Sequence, residues 1–415
     1  MNIELVTIGT ELLLGMTVDT NSAVIARSLA DNGVRVTRRI SVADRPDDIR
    51  DAVSEALRRT GAVLTTGGLG PTRDDITKKV IADLYAAPLE FDEAVWASLL
   101  QRFARLQRAP AQSNRSQAEV PRGAVVLQNR WGTAPGLWLE GAPGLTIMLP
   151  GVPLEMRKLL EHEVVPRLAS RSSGSVIRSL LVRTTGIPES TLAERLGHIE
   201  PDIAPVSLAY LPGLEGVDLR LSAWEVDTAE ADRLLRAAAD RVRGRAGEHV
   251  YGEGERDIAE LVLDAARSAR VRLAVAESCT GGLVGARLTD VPGSSDVFVG
   301  GVIAYDNAVK QAALEVPADL LEQHGAVSEP AARAMVQGLV RRFGVSAGIS
   351  ITGIAGPGGG SEAKPVGTVW IGCLVNGAGP TRRFLFPGTR HEIRARAAQA
   401  ALHLLLRQLG PAGVS

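Results

Sequence analysis

Cysteine is scarce and histidine is scattered. The 415-residue chain has two cysteines and six histidines. Cys279 and Cys373 make no paired-ligand spacing, and no HxxxH or HxH pattern occurs. A structural zinc site is therefore not expected, and this cysteine usage fits a reducing cytosol. An excess of one charge is also missing. With 46 Lys plus Arg against 47 Asp plus Glu, the formal net charge is -1, which gives no global pull toward nucleic acid or an anionic membrane. No run approaches the roughly 18 apolar residues of a membrane span. The opening MNIELVTIGTELLLG goes straight into alternating apolar residues, with no basic region ahead of them, unlike a signal peptide. No internal repeat or low-complexity tract occurs. The expectation is a soluble, cytoplasmic protein that works on small ligands, with neither nucleic acid nor membrane as partner.

What the chain does have is alternation. Its length calls for two or three domains. Over residues 1–170, IELVTIG, VRVTRRISV and AVLTTGG read as strands, while TNSAVIARSLADNG and RPDDIRDAVSEALRRTG read as amphipathic helices. Strand and helix in turn imply an α/β, parallel, doubly wound sheet. NRWGTAPG and MLPGVPLEM are dense in Pro and Gly, which resists a helix or an inner strand. A Ser/Gly cluster at 170–175 reads as a linker. Residues 171–252 then read as strand, helix, two strands joined by a turn, and helix, a small α+β module. A second break falls near GEGERD, and 253–415 alternate strand and helix again.

The chemistry concentrates in that last stretch. In LAVAESCTGGLVGARL the strand stops at Glu277, and Ser278 falls where a helix is expected to begin. A serine there is an N-cap by default. The alternative is that the helix N-terminus, opened by Gly281 and Gly282, holds an anion or polarises a carbonyl at the serine. FVGGVIAYDNAVK then ends a strand at Tyr305, offers Asp306 and Asn307 as caps, and sets Lys310 in the first turn or so of the next helix. Partly buried there, a lysine loses affinity for its proton and can take one from a serine. Such a pair needs no histidine.

In VPGSSDVF, Ser294 is a turn residue and Ser295 a rival nucleophile or a substrate contact. SITGIAGPGGG ends a strand at Thr352, and its Gly353 and Gly356 open a run of backbone N–H groups suited to phosphate. Arg390 stands just before a helix, where a guanidinium can grip a phosphate. Cys279 is a further candidate nucleophile, but with no histidine near it in sequence it reads as buried filler. The set suggests an amidohydrolase for a nucleotide-like substrate.

At AESCTGG, GGVIAYDNAVK, HGAVSEP and ITGIAGPGGGSEAKPVGTV the chain resembles the C-terminal domain of the CinA (competence/damage-inducible) family, which is similar to stand-alone nicotinamide mononucleotide deamidases. The resemblance implies metal-free hydrolysis of the nicotinamide carboxamide to nicotinic acid mononucleotide and ammonia, in pyridine nucleotide salvage. It carries Ser278, Ser295, Tyr305, Lys310, Thr352 and Arg390 over as site positions. The one departure noted is Ala363, where an acidic residue is common before Lys364.

In the first domain, TTGGLGPTRDDITKKVIADL puts Gly67, Gly68 and Gly70 in a loop after a strand, with Asp74 and Asp75 at the start of a helix. Helix capping explains one of these acids, and a divalent cation bridging a pyrophosphate would use both. GTELLLG and TVDTNS add a facing loop with Thr10, Glu11 and Asn21. GGLGPTRDD, NRWGTAPG and LPGVPLEM resemble the molybdopterin-binding fold of the MoaB and MogA type, and more closely the N-terminal domain of CinA, which in some relatives is a metal-dependent ADP-ribose pyrophosphatase. With the small KH-like module between the two large domains, the resemblance covers the whole chain. It implies a homodimer acting on nucleotides. Two other readings stay open: a molybdopterin-binding protein, and a binding protein for competence or recombination machinery.

Overall fold

The computed structural model describes residues 1–169, 171 and 176–410. The expected linker at 170–175 therefore lies, Arg171 apart, outside the described residues. The chain forms two compact units, Met1–Ser179 with Ser222–Leu234, and Leu180–Leu221 with Leu235–Ser415.

The first unit is built on a six-stranded sheet. Its strands are β1 (Asn2–Ile8), β2 (Arg35–Val42), β3 (Ala62–Thr66), β6 (Val125–Leu127), β7 (Gly136–Gly141) and β8 (Gly144–Leu149), ordered β2-β1-β3-β8-β7-β6. A separate pair joins β4 (Leu89–Phe91) to β5 (Glu119–Pro121). β2, β1, β3 and β8 run parallel, whereas β7 runs antiparallel to β8 and β6 antiparallel to β7. The expected parallel sheet is thus mixed, closed on one side by a hairpin.

β1 is buried on both faces. Ile3 and Leu5 meet Ile25 and Leu29 of the helix Thr20–Ala30, while Val6 and Ile8 meet Ile49 and Val53 of the helix Pro46–Thr60. Because side chains alternate across a strand, one run of apolar residues feeds two cores. The Pro-rich PLEM begins a helix after all, Pro153–Leu159, since proline is tolerated in a first turn whose N–H groups have no partner anyway.

The small module is a sheet ordered β10-β11-β9-β12 from β9 (Val176–Thr184), β10 (Ser207–Pro212), β11 (Val217–Val226) and β12 (Val250–Glu253), with the long helix Thr228–Ala246. β12 was not foreseen. It pairs antiparallel with β9 and occupies part of the stretch expected as a break.

The last 160 residues form a five-stranded sheet of β13 (Leu273–Glu277), β14 (Phe298–Ile303), β15 (Ala347–Gly353), β16 (Thr368–Val375) and β17 (Thr381–Leu385), ordered β14-β13-β15-β16-β17. β14, β13 and β15 are parallel, β16 runs antiparallel to β15, and β17 antiparallel to β16. Leu273 and Val275 pack on Val262, Leu263 and Leu402, whereas the small Ala274 and Ala276 let Met335 and Leu339 of the helix Glu329–Phe343 come close on the other face. β13 leads to β14 on one side, and the chain then crosses to β15 on the other. The carboxyl ends of β13 and β15 thus flank a switch point, where open α/β sheets leave a crevice. No helix among the described residues is long and apolar enough to cross a membrane.

Candidate active site

The loop after β13 places the serine. The helix that follows begins only at Leu283, so Ser278 does not cap it. Glu277, 1% exposed, turns back and accepts the N–H groups of Gly282 at 3.0 Å, Val284 at 3.2 Å and Gly285 at 2.8 Å. The helix's positive end is therefore spent on a built-in carboxylate, which corrects the expectation that it would serve a substrate anion. Held in this way, residues 278–282 form a fixed turn. The Ser278 N–H bonds Ile351 O on β15 at 2.9 Å, and its hydroxyl is left for another partner.

That partner is Lys310. Asp306 caps the helix Asn307–Leu314 by accepting the Ala308 N–H at 2.7 Å, which sets Lys310 one turn in, 1% exposed. Its Nζ lies 3.3 Å from Ser278 Oγ, 2.8 Å from Ala304 O and 3.3 Å from Tyr305 O. Burial pushes the Lys310 pKa below the usual lysine range, and the nearby Asp306 opposes that shift. Nζ donates in all three contacts, to the Ser278 hydroxyl and to the two carbonyls.

A second cluster adjoins through Tyr305. Its ring is exposed, and its hydroxyl accepts a hydrogen bond from Arg390 at 2.6 Å, while Arg390 also donates to Gly356 O at 2.7 Å. Arg390 opens the helix Arg390–Leu409, capped by Thr389. Thr352 and Gly353 have internal duties. The Thr352 hydroxyl donates to Ala326 O at 2.8 Å, and a Cβ at Gly353 would stand 2.7 Å from Val369 Cγ2. Both shape the crevice wall rather than offering a free group to a ligand.

Ser295 is not brought to Lys310. It is exposed, in a single turn just before β14. In the parallel register Phe298 stands beside Leu273 and Ile303 beside Glu277. Ser295 therefore lies at the amino end of the sheet, separated from Ser278 by about 16 Å of strand. Within one chain, Ser278 is in hydrogen-bonding reach of Lys310 and Ser295 is not. Cys279 is 6% exposed, and burial pushes its thiol up to about 12, which leaves no thiolate at neutral pH.

Two residues of this site were missed. Glu277 was read only as the end of a strand. Arg394, one turn beyond Arg390 on the same helix, donates to Thr280 O at 2.7 Å and braces the loop from behind. The i, i+4 spacing of the two arginines was the available signal.

The first unit's motifs also converge, at the carboxyl ends of β1, β3 and β8. Gly67 and Gly68 have φ of 111° and 66°, and a Cβ on either would fall 2.1 Å from Ile8 O or from Thr77 Oγ1, so only glycine fits there. Asn21 donates to Gly151 O at 2.7 Å. The backbone N–H and hydroxyl of Thr10 both bond Asp44 at 2.8 and 2.9 Å, and Glu11 is exposed. Asn129 donates to Ala134 O at 2.7 Å and to Glu155, which joins NRWGTAPG to LPGVPLEM. Lys78, also missed, is pushed down to about 8 by burial.

The acidic pair is split. Both precede the helix Thr77–Leu84 rather than starting it. Asp75 accepts the N–H groups of Gly70 and Thr72, each at 2.7 Å, and the Thr72 hydroxyl, so it locks the glycine turn. Asp74 is exposed, and hydrogen bonds from Thr72 and its own backbone hold its carboxyl below the usual range. Among the described residues no group of three or more His, Cys, Asp or Glu side chains is arranged to hold a metal ion. A hard cation bound chiefly by substrate phosphates needs only one or two carboxylates. Asp74 fits that role, whereas Asp75 is already engaged. Asp75→Asn should therefore lower Tm by roughly 3–10 °C, the cost of an unmet turn donor, while the exposed Asp74→Asn costs less. Equal melting curves for the two variants would refute this division.

Fold and site together define a class: a protein of three α/β-type modules, the last carrying a serine and a buried lysine at the carboxyl ends of two neighbouring parallel strands. Family models match along its length, the "Probable molybdopterin binding domain" over 4–170, the "Damage-inducible protein CinA KH domain" over 179–252 and the "CinA C-terminal domain" over 255–409. The chain is 52% identical to a CinA-like protein of Gemmatimonas aurantiaca over 411 residues, spanning 98% of this chain and 96% of that one. It is 41% identical to a CinA-like protein of Chlorobaculum tepidum, spanning 98% of each. The chain belongs to the CinA family. Among solved structures, the CinA protein of Thermoplasma acidophilum is similar at 34% identity over 41% of this chain and 99% of that one, with a TM-score of 0.38.

Proposed function

We propose that the C-terminal site hydrolyses the carboxamide of nicotinamide mononucleotide to nicotinic acid mononucleotide and ammonia, without a metal. The observation that carries this reading is the buried Lys310 Nζ at 3.3 Å from Ser278 Oγ, with its proton affinity lowered by burial. Neutral Lys310 takes the Ser278 proton as Oγ attacks the amide carbon. The oxyanion is met by the N–H groups of Cys279 and Thr280, which no backbone carbonyl accepts among the described residues. The Lys310 ammonium returns its proton to the departing nitrogen, and ammonia leaves. Water, deprotonated by the same amine, then releases the acid from the acyl-serine. Arg390, with donors beyond the two it uses, and the glycine run after Ile354 are the groups suited to the phosphate.

The test is to incubate the full chain with a panel of pyridine and adenine nucleotides, with and without a chelator, and to read products by mass spectrometry. Failure to deamidate the mononucleotide, or loss of deamidation on chelation, overturns the reading.

The pH dependence follows from the lysine. Only neutral Lys310 can accept a proton, so kcat/KM should rise with pH until it reaches the lowered pKa, then level. Asp306 raises that pKa. Asp306→Asn keeps a competent cap and should move the rising limb to lower pH; a shift the other way would remove Lys310 as its origin. Stability has the same sign. With its folded pKa below the ordinary 10.5, the unfolded chain holds more protons between the two values, so stability falls as pH drops through that window.

For the N-terminal site the proposal is hydrolysis of ADP-ribose to AMP and ribose 5-phosphate, with a divalent cation at Asp74 supplying charge neutralisation at the pyrophosphate. It is supported by the glycine turn that Asp75 holds and by the exposed Asp74 beside it. Release of AMP only with added cation, abolished in Asp74→Asn, is the expected result; binding of a molybdopterin without hydrolysis would favour the other reading.

A further inference from the structure

A cavity of about 570 Å³ lies within the second unit, lined by β17, the helix Arg390–Leu409 and the hairpin around 212–217. None of its lining residues belongs to the serine–lysine site. One wall is aromatic: Phe384 and Phe386 stack with centroids 5.4 Å apart and planes 8° from parallel. Another holds Gln399, 1% exposed. Its Oε1 accepts from Arg287 at 2.9 Å. A guanidinium only donates, so the oxygen must face Arg287 and the amide nitrogen must face away. Nε2 has no partner among the described residues, an uncommon and unfavourable state for a buried donor.

The charges are uneven. Glu248 is paired with Arg407, and Glu215 with Arg287 at 3.3 Å. Arg396 uses one nitrogen on Pro387 O at 2.6 Å, and Arg382 is exposed and makes no ion pair among the described residues. Burial holds His403 down to about 4, so it is neutral near pH 7 and the cationic groups are arginines. Glu189, from the small module, is the carboxylate on the lining without an ion-pair partner among the described residues.

We propose that this cavity is a binding site for a small planar aromatic anion. Its ring lies against Phe384 and Phe386 and its anionic group meets the exposed Arg382. The volume is in the range of small-molecule sites, and aromatic stacking with a few convergent polar donors is how such sites fix orientation. The helix that carries Gln399 and Arg396 begins at Arg390, so this seat and the serine–lysine site share one rigid element. The inference does not depend on the amidase reading.

The experiment uses the full chain and 2-naphthoate as probe, followed by isothermal titration calorimetry at moderate salt. One saturable site of millimolar or tighter affinity is expected, as a ligand of this size allows. Arg382→Ser, a surface change that leaves the fold intact, should weaken it by about tenfold or more. Absence of saturable binding in the millimolar range overturns the proposal. So does binding that Arg382→Ser leaves unchanged.

Discussion

Lys310→Met should lower kcat for nicotinamide mononucleotide hydrolysis by about 10²- to 10⁴-fold, the usual contribution of a general base, with KM little changed. Methionine fills the volume of the buried stem and removes only the amine, so packing is kept while Ser278 loses its acceptor. The variant should also lose the rising pH limb. The three hydrogen bonds of Nζ make a competing explanation available, since their loss could loosen the turn at Ala304. Melting curves separate the two: an inactive variant with unchanged Tm supports the base, and a collapsed Tm points to the scaffold. A Lys310→Met protein with wild-type kcat would exclude the mechanism.

Ser278→Ala should be equally severe and should abolish any covalent acyl-enzyme, while Ser295→Ala stays within a factor of a few of the parent. The contrast rests on placement at opposite ends of β13 and β14. Because serine and lysine act as a unit, the double variant Ser278→Ala, Lys310→Met should be no worse than either single one. Mass spectrometry of the quenched enzyme reads the adduct directly. An adduct that survives Ser278→Ala and disappears in Ser295→Ala would reverse the assignment.

Much of this was legible. The apolar runs in IELVTIG and LAVAESC marked strands, because strands buried on both faces are apolar nearly throughout, and Asp306 announced its helix as a cap. The mixed orientation of both sheets was not legible, since apolar periodicity is the same for a strand paired in either direction. PLEM was misread because proline weighs against a helix everywhere except its first turn. Asp74 and Asp75 looked equivalent. Only the turn that wraps Asp75 tells a structural carboxylate from an exposed one.

The sequence alone determined the family, the order of modules, and the residue types of the site: a serine after one strand, a lysine in the helix after the next, an arginine opening the last helix. These are local matters of pattern, capping and glycine. Tertiary structure decided which of them meet. Residues 32 apart in the chain reach hydrogen-bonding distance because the neighbouring parallel strands β13 and β14 end side by side. Ser295, closer to Lys310 in sequence than Ser278 is, lies beyond reach because it precedes its strand instead of following one. The lysine's lowered proton affinity is likewise tertiary, for it arises from burial, which exists only once the sheet and helices have closed around Nζ.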